Sequence, residues 1–141
     1  MAVERFLDLR DIRLRLVDFG GRGLPVLILH GLAGRASEWS EVAADLSRRH
    51  RVVALDLRGH GGSDKPDDLA RRSFAADAMG VLESLDLGAV CLVGQSFGGD
   101  IALMVAATRP DLLSALVVIE AVPNLDSETR TLIAAWFRSW P

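Results

Sequence analysis

The feature that most constrains this chain is the pentapeptide Gly-Gln-Ser-Phe-Gly at residues 94–98. It follows an apolar run at residues 90–93 and precedes a segment with the residue spacing of a helix. A G-x-S-x-G sequence between a strand and a helix is typical of a nucleophile elbow, a sharp turn that raises the serine hydroxyl above a sheet. The pattern therefore predicts that Ser96 is a reactive side chain. The alternative is a glycine-rich loop that holds a serine by chance.

The glycines of this turn have a physical role. A residue at the apex of so tight a turn takes a strained backbone conformation, and Gly94 and Gly98 let the strand and the helix approach each other closely. The backbone N–H of Phe97 then lies at the start of the helix, where it points to the place at which an oxyanion would form. The sequence thus sets a nucleophile beside a hydrogen-bond donor for a developing negative charge.

Apolar runs alternate with helix-like segments along the chain. Short continuous apolar runs are typical of strands covered on both faces, and two alternating strands around Asp11 come before them. Strands that alternate with helices predict an α/β fold, a mostly parallel sheet with helices on both faces. The predicted strands are residues 25–29, 51–55, 89–93 and 116–119, and the predicted helices are residues 39–48, 74–85, 100–108 and 127–140.

Serine and glycine predict where these helices begin and end. Ser37 and Ser73 each stand just before a segment of helical spacing, where a hydroxyl can accept a backbone N–H of the first turn. Gly88 follows the second helix and is expected to close it. Pro110 is expected to stop the helix after the elbow.

Composition excludes several classes of function. The net charge of −3 gives no basic footprint for nucleic acid, and no apolar run reaches the ~20 residues that span a bilayer. The first eight residues mix both charge signs with apolar residues, unlike a secretory signal. Cys91 is the one cysteine and lies in an apolar strand, so a buried, reduced thiol in a cytoplasmic protein is expected. No cluster with metal-ligand spacing is present in the sequence.

Three motifs in one order give the chain a family resemblance. An apolar strand leads into His30-Gly31-Leu32, a loop rich in glycine and charge occupies residues 56–66, and the elbow follows at residues 94–99. This order resembles the α/β-hydrolase fold superfamily, in the branch of small cofactor-independent serine hydrolases with a lid after the sixth strand. The resemblance covers essentially the whole chain.

The resemblance implies a role for each matching residue. Ser96 would be the nucleophile, and the backbone N–H groups of Leu32 and Phe97 would form the oxyanion hole. The loop at residues 56–66 would be a scaffold near the site. The substrate would be a small molecule with an acyl group, and no cofactor or metal is implied. The residues with a structural role at the site would be His30, Gly31, Gly94 and Gly98.

The catalytic base and acid depart from the family pattern. The family orders its triad as serine, acid, histidine, yet His30, His50 and His60 all precede Ser96. The acid usually follows the seventh strand, but in relatives that resemble haloalkane dehalogenases a glutamate after the sixth strand takes this role. Glu120 stands at that place and is the candidate acid, the alternative being a residue that hydrogen-bonds a nearby loop or faces solvent.

The nucleophile narrows the chemistry. Those dehalogenases, and the epoxide hydrolases of this fold, attack with an aspartate. Ser96 favours acyl transfer instead, on an ester, a thioester, a lactone or a C–C bond next to a carbonyl.

The missing histidine leads to an expectation about the extent of the chain. Residues 1–123 are expected to form the N-terminal part of the hydrolase core and residues 124–141 the start of the lid, an α/β-hydrolase fold truncated after about the sixth strand. The run Leu116, Val117, Val118, Ile119 would then be an exposed apolar edge that pairs with a second copy or with a complementing chain. Three functions stay open: a serine hydrolase, a binding module without catalysis, and an inactive fragment that a second polypeptide completes.

Overall fold

The sheet is the frame of the molecule. The computed structural model describes residues 2–121 and 127–138. Six strands lie in the order β1-β2-β4-β3-β5-β6; β3, β4, β5 and β6 run parallel, and β1 and β2 form an antiparallel hairpin beside β4. The predicted mostly parallel sheet is confirmed. The strands are β1 Val3–Leu9, β2 Ile12–Gly20, β3 Pro25–Leu29, β4 Arg51–Leu55, β5 Val90–Gln95 and β6 Leu113–Ile119.

Helices cover both faces of this sheet, as predicted. On β3, Leu27 and Leu29 pack into the core under the second and third helices, whereas Val26 and Ile28 point to the core under the first helix. Successive strand residues face opposite sides, so a run with no polar residue needs cover on both. The helices are α1 Ser40–Leu46, α2 Arg71–Leu85, α3 Phe97–Thr108 and α4 Ser127–Arg138, with short 3₁₀ helices at Ala36–Trp39 and Pro110–Leu112.

The predicted helix ends were wrong at three places. Ser37 lies inside a 3₁₀ helix, and α2 begins at Arg71, before Ser73. The Ser73 hydroxyl donates to the carboxylate of Asp68 at 2.5 Å, so a neighbouring loop takes the group that was expected to cap the helix. Asp86, at φ 47°, takes the left-handed position after α2 in place of Gly88.

The strand β6 lies at the edge of the sheet and pairs only with β5 among the described strands. Its side chains are exposed on both faces, with 36–43% of each residue from Leu116 to Ile119 accessible. The structure thus shows the exposed apolar edge that the sequence predicts. The predicted domain boundary after residue 123 lies outside the described residues.

Candidate active site

Ser96 occupies the turn between β5 and α3. Its backbone has φ 50° and ψ −117°, a region that a residue with a side chain rarely enters, and its side chain is exposed. The N–H of Ser96 donates to the carbonyl of Ile119 at 2.8 Å, and its own carbonyl accepts the N–H of Asp100 at 3.1 Å. Strand β6 and the first turn of α3 therefore hold the strained conformation from both sides.

Close packing of backbone against backbone explains the two glycines of the elbow. A Cβ on Gly94 would lie 2.4 Å from the carbonyl oxygen of Gly98, and a Cβ on Gly98 would lie 2.5 Å from the oxygens of both Leu29 and His30. Real Cβ atoms do not approach oxygen so closely. The glycines let α3 begin directly over the ends of β3 and β5, which puts the N–H of Phe97 at the start of the helix next to Ser96.

The loop after β3 lies against the elbow. A Cβ on Gly31 would be 3.5 Å from the Cβ of Ser96, so the His30-Gly31-Leu32 segment and the serine are in contact distance. The N–H of Gly34 donates to the carbonyl of Gly31 at 3.0 Å and closes a turn around Leu32, whose residue surface is 45% exposed. The structure therefore brings Ser96, Phe97 and the Leu32 turn together.

His30 is a buried part of this loop. Its residue surface is 1% exposed; its Nε2 accepts the N–H of Leu57 at 3.0 Å, and its Nδ1 lies 2.7 Å from the carbonyl of Gly31. Burial lowers the pKa of His30 below its usual range. A neutral ring with both nitrogens engaged suits a structural role.

His60 engages the same loop from the other side, which the sequence did not reveal. Its Nε2 accepts the N–H of Ala33 at 3.2 Å, and its Nδ1 lies 2.9 Å from the carbonyl of Arg58. The sequence shows a histidine in the glycine-rich loop, but its partner Ala33 lies 27 residues away, so the sequence pattern does not reveal the contact. The rings of His30, His60, Phe74 and Phe97 form a contact chain with centroid separations of 5.0, 6.4 and 4.9 Å.

The loop at residues 56–66 is held by buried carboxylates. Asp56 is fully buried and accepts the N–H groups of Ala36 at 2.6 Å and Gly62 at 2.8 Å and the guanidinium of Arg15 at 2.7 Å. Burial opposes ionisation of Asp56, but the three hydrogen bonds outweigh it and hold the pKa of that carboxyl below its usual range. The loop is therefore pinned to β2 and to the segment that follows the Leu32 turn.

A second ion pair fixes the same loop to α2. The guanidinium of Arg58 donates to both carboxylate oxygens of Asp77, at 2.7 and 2.8 Å, and to the carbonyl of Asp68 at 2.9 Å. Asp77 is a charged residue on the buried, apolar face of α2. The sequence shows this exception to the apolar pattern, and the ion pair with Arg58 explains it.

Glu120 follows β6 directly and lies close to the elbow along the backbone. Gln95 pairs with Ile119 at the ends of β5 and β6, so Ser96 and Glu120 are the next residues on neighbouring strands. Glu120 has φ 53° and is exposed. Both candidate residues thus leave the same edge of the sheet in strained backbone conformations.

The three histidines are all placed by the structure. Both ring nitrogens of His30 and of His60 face backbone groups, which leaves neither ring a free nitrogen for Ser96. His50 immediately precedes β4, at the opposite end of the parallel strands from the elbow. The chain therefore has no histidine in position to act as a base.

A groove of about 730 Å³ lies along α2, away from the elbow. Leu9, Arg58, Gly80 and Arg109 are among its lining residues, and Ser96, Leu32 and Phe97 are not. Within residues 2–121 and 127–138, no group of three His, Cys, Asp or Glu side chains is placed to hold a metal ion. The helices described are all too short or too polar to cross a bilayer.

Known proteins share both the sequence pattern and the fold. A 2-(acetamidomethylene)succinate hydrolase from Mesorhizobium japonicum is 31% identical over 134 residues, which are 94% of this chain and 48% of the relative. A 2-hydroxymuconate semialdehyde hydrolase from Pseudomonas sp. (strain CF600) is 35% identical over 139 residues, 95% of this chain and 49% of the relative.

A solved structure agrees with these relatives. The crystal structure of an E-2-(acetamidomethylene)succinate hydrolase superposes with a TM-score of 0.90 at 31% identity, over 96% of this chain and 50% of that one. The chain thus spans about half the length of these relatives. The family model described as alpha/beta hydrolase fold matches residues 25–141. With this match, and with the sheet order and elbow described above, the chain belongs to the alpha/beta hydrolase fold family.

Proposed function

We propose that this chain carries the nucleophile and the oxyanion hole of a serine hydrolase that acts on a small acyl substrate. The observation that carries the proposal is the exposed Ser96 at φ 50° between β5 and α3, in contact distance of Gly31. A strained, exposed serine on two tight backbone contacts has no evident structural use, whereas a nucleophile needs this presentation.

The chemistry runs through an acyl-enzyme. The Oγ of Ser96 attacks the substrate carbonyl carbon, the carbonyl electrons move to its oxygen, and the hydroxyl proton passes to water or hydroxide. The N–H groups of Leu32 and Phe97 stabilise this oxyanion. Collapse of the tetrahedral intermediate expels the leaving group with a proton, and water then attacks the acyl carbon and restores the Ser96 hydroxyl.

Glu120 is the proposed acid of this machinery. It leaves the sheet beside Ser96, and in a complete triad a carboxylate holds the tautomer of a catalytic histidine. Because the histidines of this chain are engaged or distant, we assign none of them as the base. The proposal is therefore that Ser96 reacts slowly in this chain, with residual rate from the oxyanion hole and binding alone.

The substrate class comes from the nucleophile and from the relatives. Two relatives are named as hydrolases of small organic acids or their derivatives, and a thioesterase domain is among the solved structures with this fold. A serine nucleophile fits hydrolysis of an ester-like or other carbonyl substrate. The fold class alone would not distinguish these substrates.

A fluorophosphonate probe tests the proposal, because it phosphonylates a serine through a charged intermediate that an oxyanion hole stabilises. We expect one phosphonylated residue, Ser96, located by peptide mass spectrometry. The labelling rate should rise steadily from pH 6 to pH 9 without a plateau near ~6.5, where a histidine base would titrate. Ser96→Ala should abolish the labelling.

Ser84→Ala is the matched control, because Ser84 is an exposed serine on α2 far from the elbow. It should label at the wild-type rate. A well-folded chain that stays unlabelled at pH 9 would contradict the proposed function and favour a binding module without catalysis.

A further inference from the structure

Two histidines exchange hydrogen bonds between the loop after β3 and the loop after β4. His30, on the first loop, accepts the N–H of Leu57 on the second at 3.0 Å. His60, on the second loop, accepts the N–H of Ala33 on the first at 3.2 Å. Their ring centroids are 5.0 Å apart, with the ring planes inclined at 58°. Each loop thus supplies the acceptor for the other.

The partners of His60 define its protonation. A carbonyl oxygen can only accept, so Nδ1, which lies 2.9 Å from the carbonyl of Arg58, carries the hydrogen. An N–H can only donate, so Nε2, which faces Ala33, carries the lone pair. These partners assign the Nδ1–H tautomer to His60, whose Nε2 then accepts the Ala33 N–H.

The two rings fix the two peptide planes on either side of Leu32. The carbonyl of Gly31 and the N–H of Leu32 belong to one planar peptide, and His30 holds that carbonyl at 2.7 Å. The next planar peptide joins Leu32 to Ala33, and His60 holds its N–H. Together with the turn bond from the Gly34 N–H to the Gly31 carbonyl, the two rings hold the peptide planes that orient the N–H of Leu32.

The conformation held in this way is strained. Ala33 has φ 61°, a left-handed backbone that is unfavourable for a residue with a side chain. Such a residue keeps this conformation only where its surroundings enforce it. Ala33 is exposed and its side chain is a methyl group, so packing supplies little of this enforcement. Two hydrogen bonds enforce it: the Gly34 N–H donates to the Gly31 carbonyl at 3.0 Å and closes the turn, and the Ala33 N–H donates to His60 at 3.2 Å and ties the turn to the loop after β4.

We propose that His60 is a positioning residue: by accepting the Ala33 N–H it holds the strained Leu32-Ala33 turn in the conformation that aims the Leu32 N–H at the oxyanion formed on Ser96. The statement that the Leu32 N–H points to the oxyanion rests on the proposed function. The hydrogen bond and the loop conformation that it maintains are tested independently.

Two substitutions at His60 distinguish the effect of its acceptor nitrogen from the effect of its side-chain volume. The Oε1 of His60→Gln takes the place of Nε2 and can accept from Ala33, whereas His60→Leu fills similar space with no acceptor. We expect the amide exchange of Ala33, followed by NMR, to be fast in His60→Leu and protected in His60→Gln. His50→Leu is the matched control, because His50 lies away from both loops, and it should leave Ala33 protected.

The fluorophosphonate reaction gives the second readout. An oxyanion donor acts in the transition state, so in His60→Leu the limiting labelling rate should fall by about 10- to 100-fold while the concentration for half-saturation stays unchanged. His60→Gln should recover most of this rate. A general loss of stability would change both the limiting rate and the half-saturation concentration, and the His60→Gln variant would not restore them.

The outcomes distinguish this inference from the proposed function. If the Ala33 amide stays protected in a folded His60→Leu variant, the positioning role is overturned. A ¹⁵N spectrum that shows the Nε2–H tautomer of His60 in the wild-type chain also overturns it. The second measurement does not need the variant to fold. Lost protection with a slower limiting rate supports it. If the wild-type chain is never labelled, the proposed function fails, and the positioning of the turn is still decided by the exchange of Ala33.

Discussion

At the scale of single residues, the elbow depends on backbone approach more than on any side chain. The serine conformation is strained, and the atoms that enforce it are carbonyl oxygens and N–H groups of β6 and α3. At Gly98 the backbone of β3 also approaches closely, because an added Cβ would lie 2.5 Å from the oxygens of both Leu29 and His30. A small residue there is a condition for the whole site.

Gly98→Ala tests this condition. The added Cβ would lie 2.5 Å from two backbone oxygens, which cannot rotate away as a side chain can. We expect a loss of about 1–3 kcal/mol in the free energy of unfolding and a loss of probe labelling at Ser96. Urea denaturation and mass spectrometry measure the two effects.

Gly80→Ala is the control for that substitution. Gly80 lies inside α2, and its added Cβ would meet only the end of the flexible Leu9 side chain, at 2.9 Å. Alanine is the better helix former by up to about 1 kcal/mol, so stability should be unchanged or higher and labelling intact. Equal stability of Gly98→Ala and the wild type would contradict the account of the elbow.

At the scale of secondary-structure elements, β6 is the unprotected part of the sheet. It holds no charged residue from Leu113 to Ile119, and its outer N–H and C=O groups have no strand beside them among the described residues. Proteins usually guard such edges with lysine, proline or a bulge. We propose that a second copy of this chain pairs with β6 in antiparallel fashion, because an uncharged strand paired with itself across a two-fold axis sets no like charges opposite each other.

Self-association of the chain is the expected consequence. One pair of seven-residue strands makes a small interface, so the association should be weak and should depend on concentration. Light scattering after size-exclusion chromatography should show the mean mass rise with protein concentration. Val117→Lys, which puts two ammonium groups near each other across the axis, should return the chain to a monomer.

Val42→Lys is the control, because Val42 is a valine of α1 that is 51% exposed and lies away from the edge. It should associate like the wild type. A wild-type chain that stays monomeric at all concentrations would contradict the pairing, and so would equal effects of the two lysines.

At the scale of the whole molecule, two buried carboxylates join the N-terminal hairpin to the parallel strands. Asp18 on β2 receives the guanidinium of Arg51 on β4, and Arg15 on β2 donates to Asp56 in the loop after β4. For Asp18, as for Asp56, burial opposes ionisation but is outweighed, here by hydrogen bonds from Arg51 and Gly20, and its pKa is lowered.

The stability of the protein should therefore fall in acid. A carboxyl whose pKa is lower in the folded chain stabilises the fold fully above its unfolded pKa of about 3.9, and this contribution is lost as the pH falls through the folded pKa. We expect the urea midpoint to decrease already below about pH 6.5, because the unfolded chain protonates His30 more readily than the folded chain does, and to drop further below about pH 4, where the buried carboxylates are protonated. Asp56→Asn should lower stability at pH 7 and flatten the acid drop.

A urea midpoint that is the same at pH 3 and pH 7 would contradict this account. The matched variant is Asp86→Asn, because Asp86 is exposed at the end of α2. It should retain the wild-type acid drop. The comparison assigns the effect to the buried carboxyl rather than to the removal of one negative charge.

The sequence by itself determined the elements and the elbow. Strands β3 and β4 were predicted at their observed bounds, because the five apolar residues of β3 and the four that follow Arg51 in β4 need cover on both faces, and a polar residue follows each run. Gly94, Ser96 and Gly98 identified the elbow because glycine near a serine is a local requirement of a tight turn. Such features are encoded within a few residues, so a single sequence is enough to reveal them.

Only the tertiary structure decided which polar groups meet. The contact of His60 with the Leu32 turn depends on Ala33, 27 residues before it, and the bidentate partner of Arg58 is Asp77, 19 residues after it. The burial of Asp56 depends on Arg15, 41 residues away. A hydrogen bond between distant residues leaves no periodicity in the sequence, since either partner alone is an ordinary polar residue. These residues become hydrogen-bond partners because the fold brings β2, the loop after β3 and the loop after β4 to one edge of the sheet.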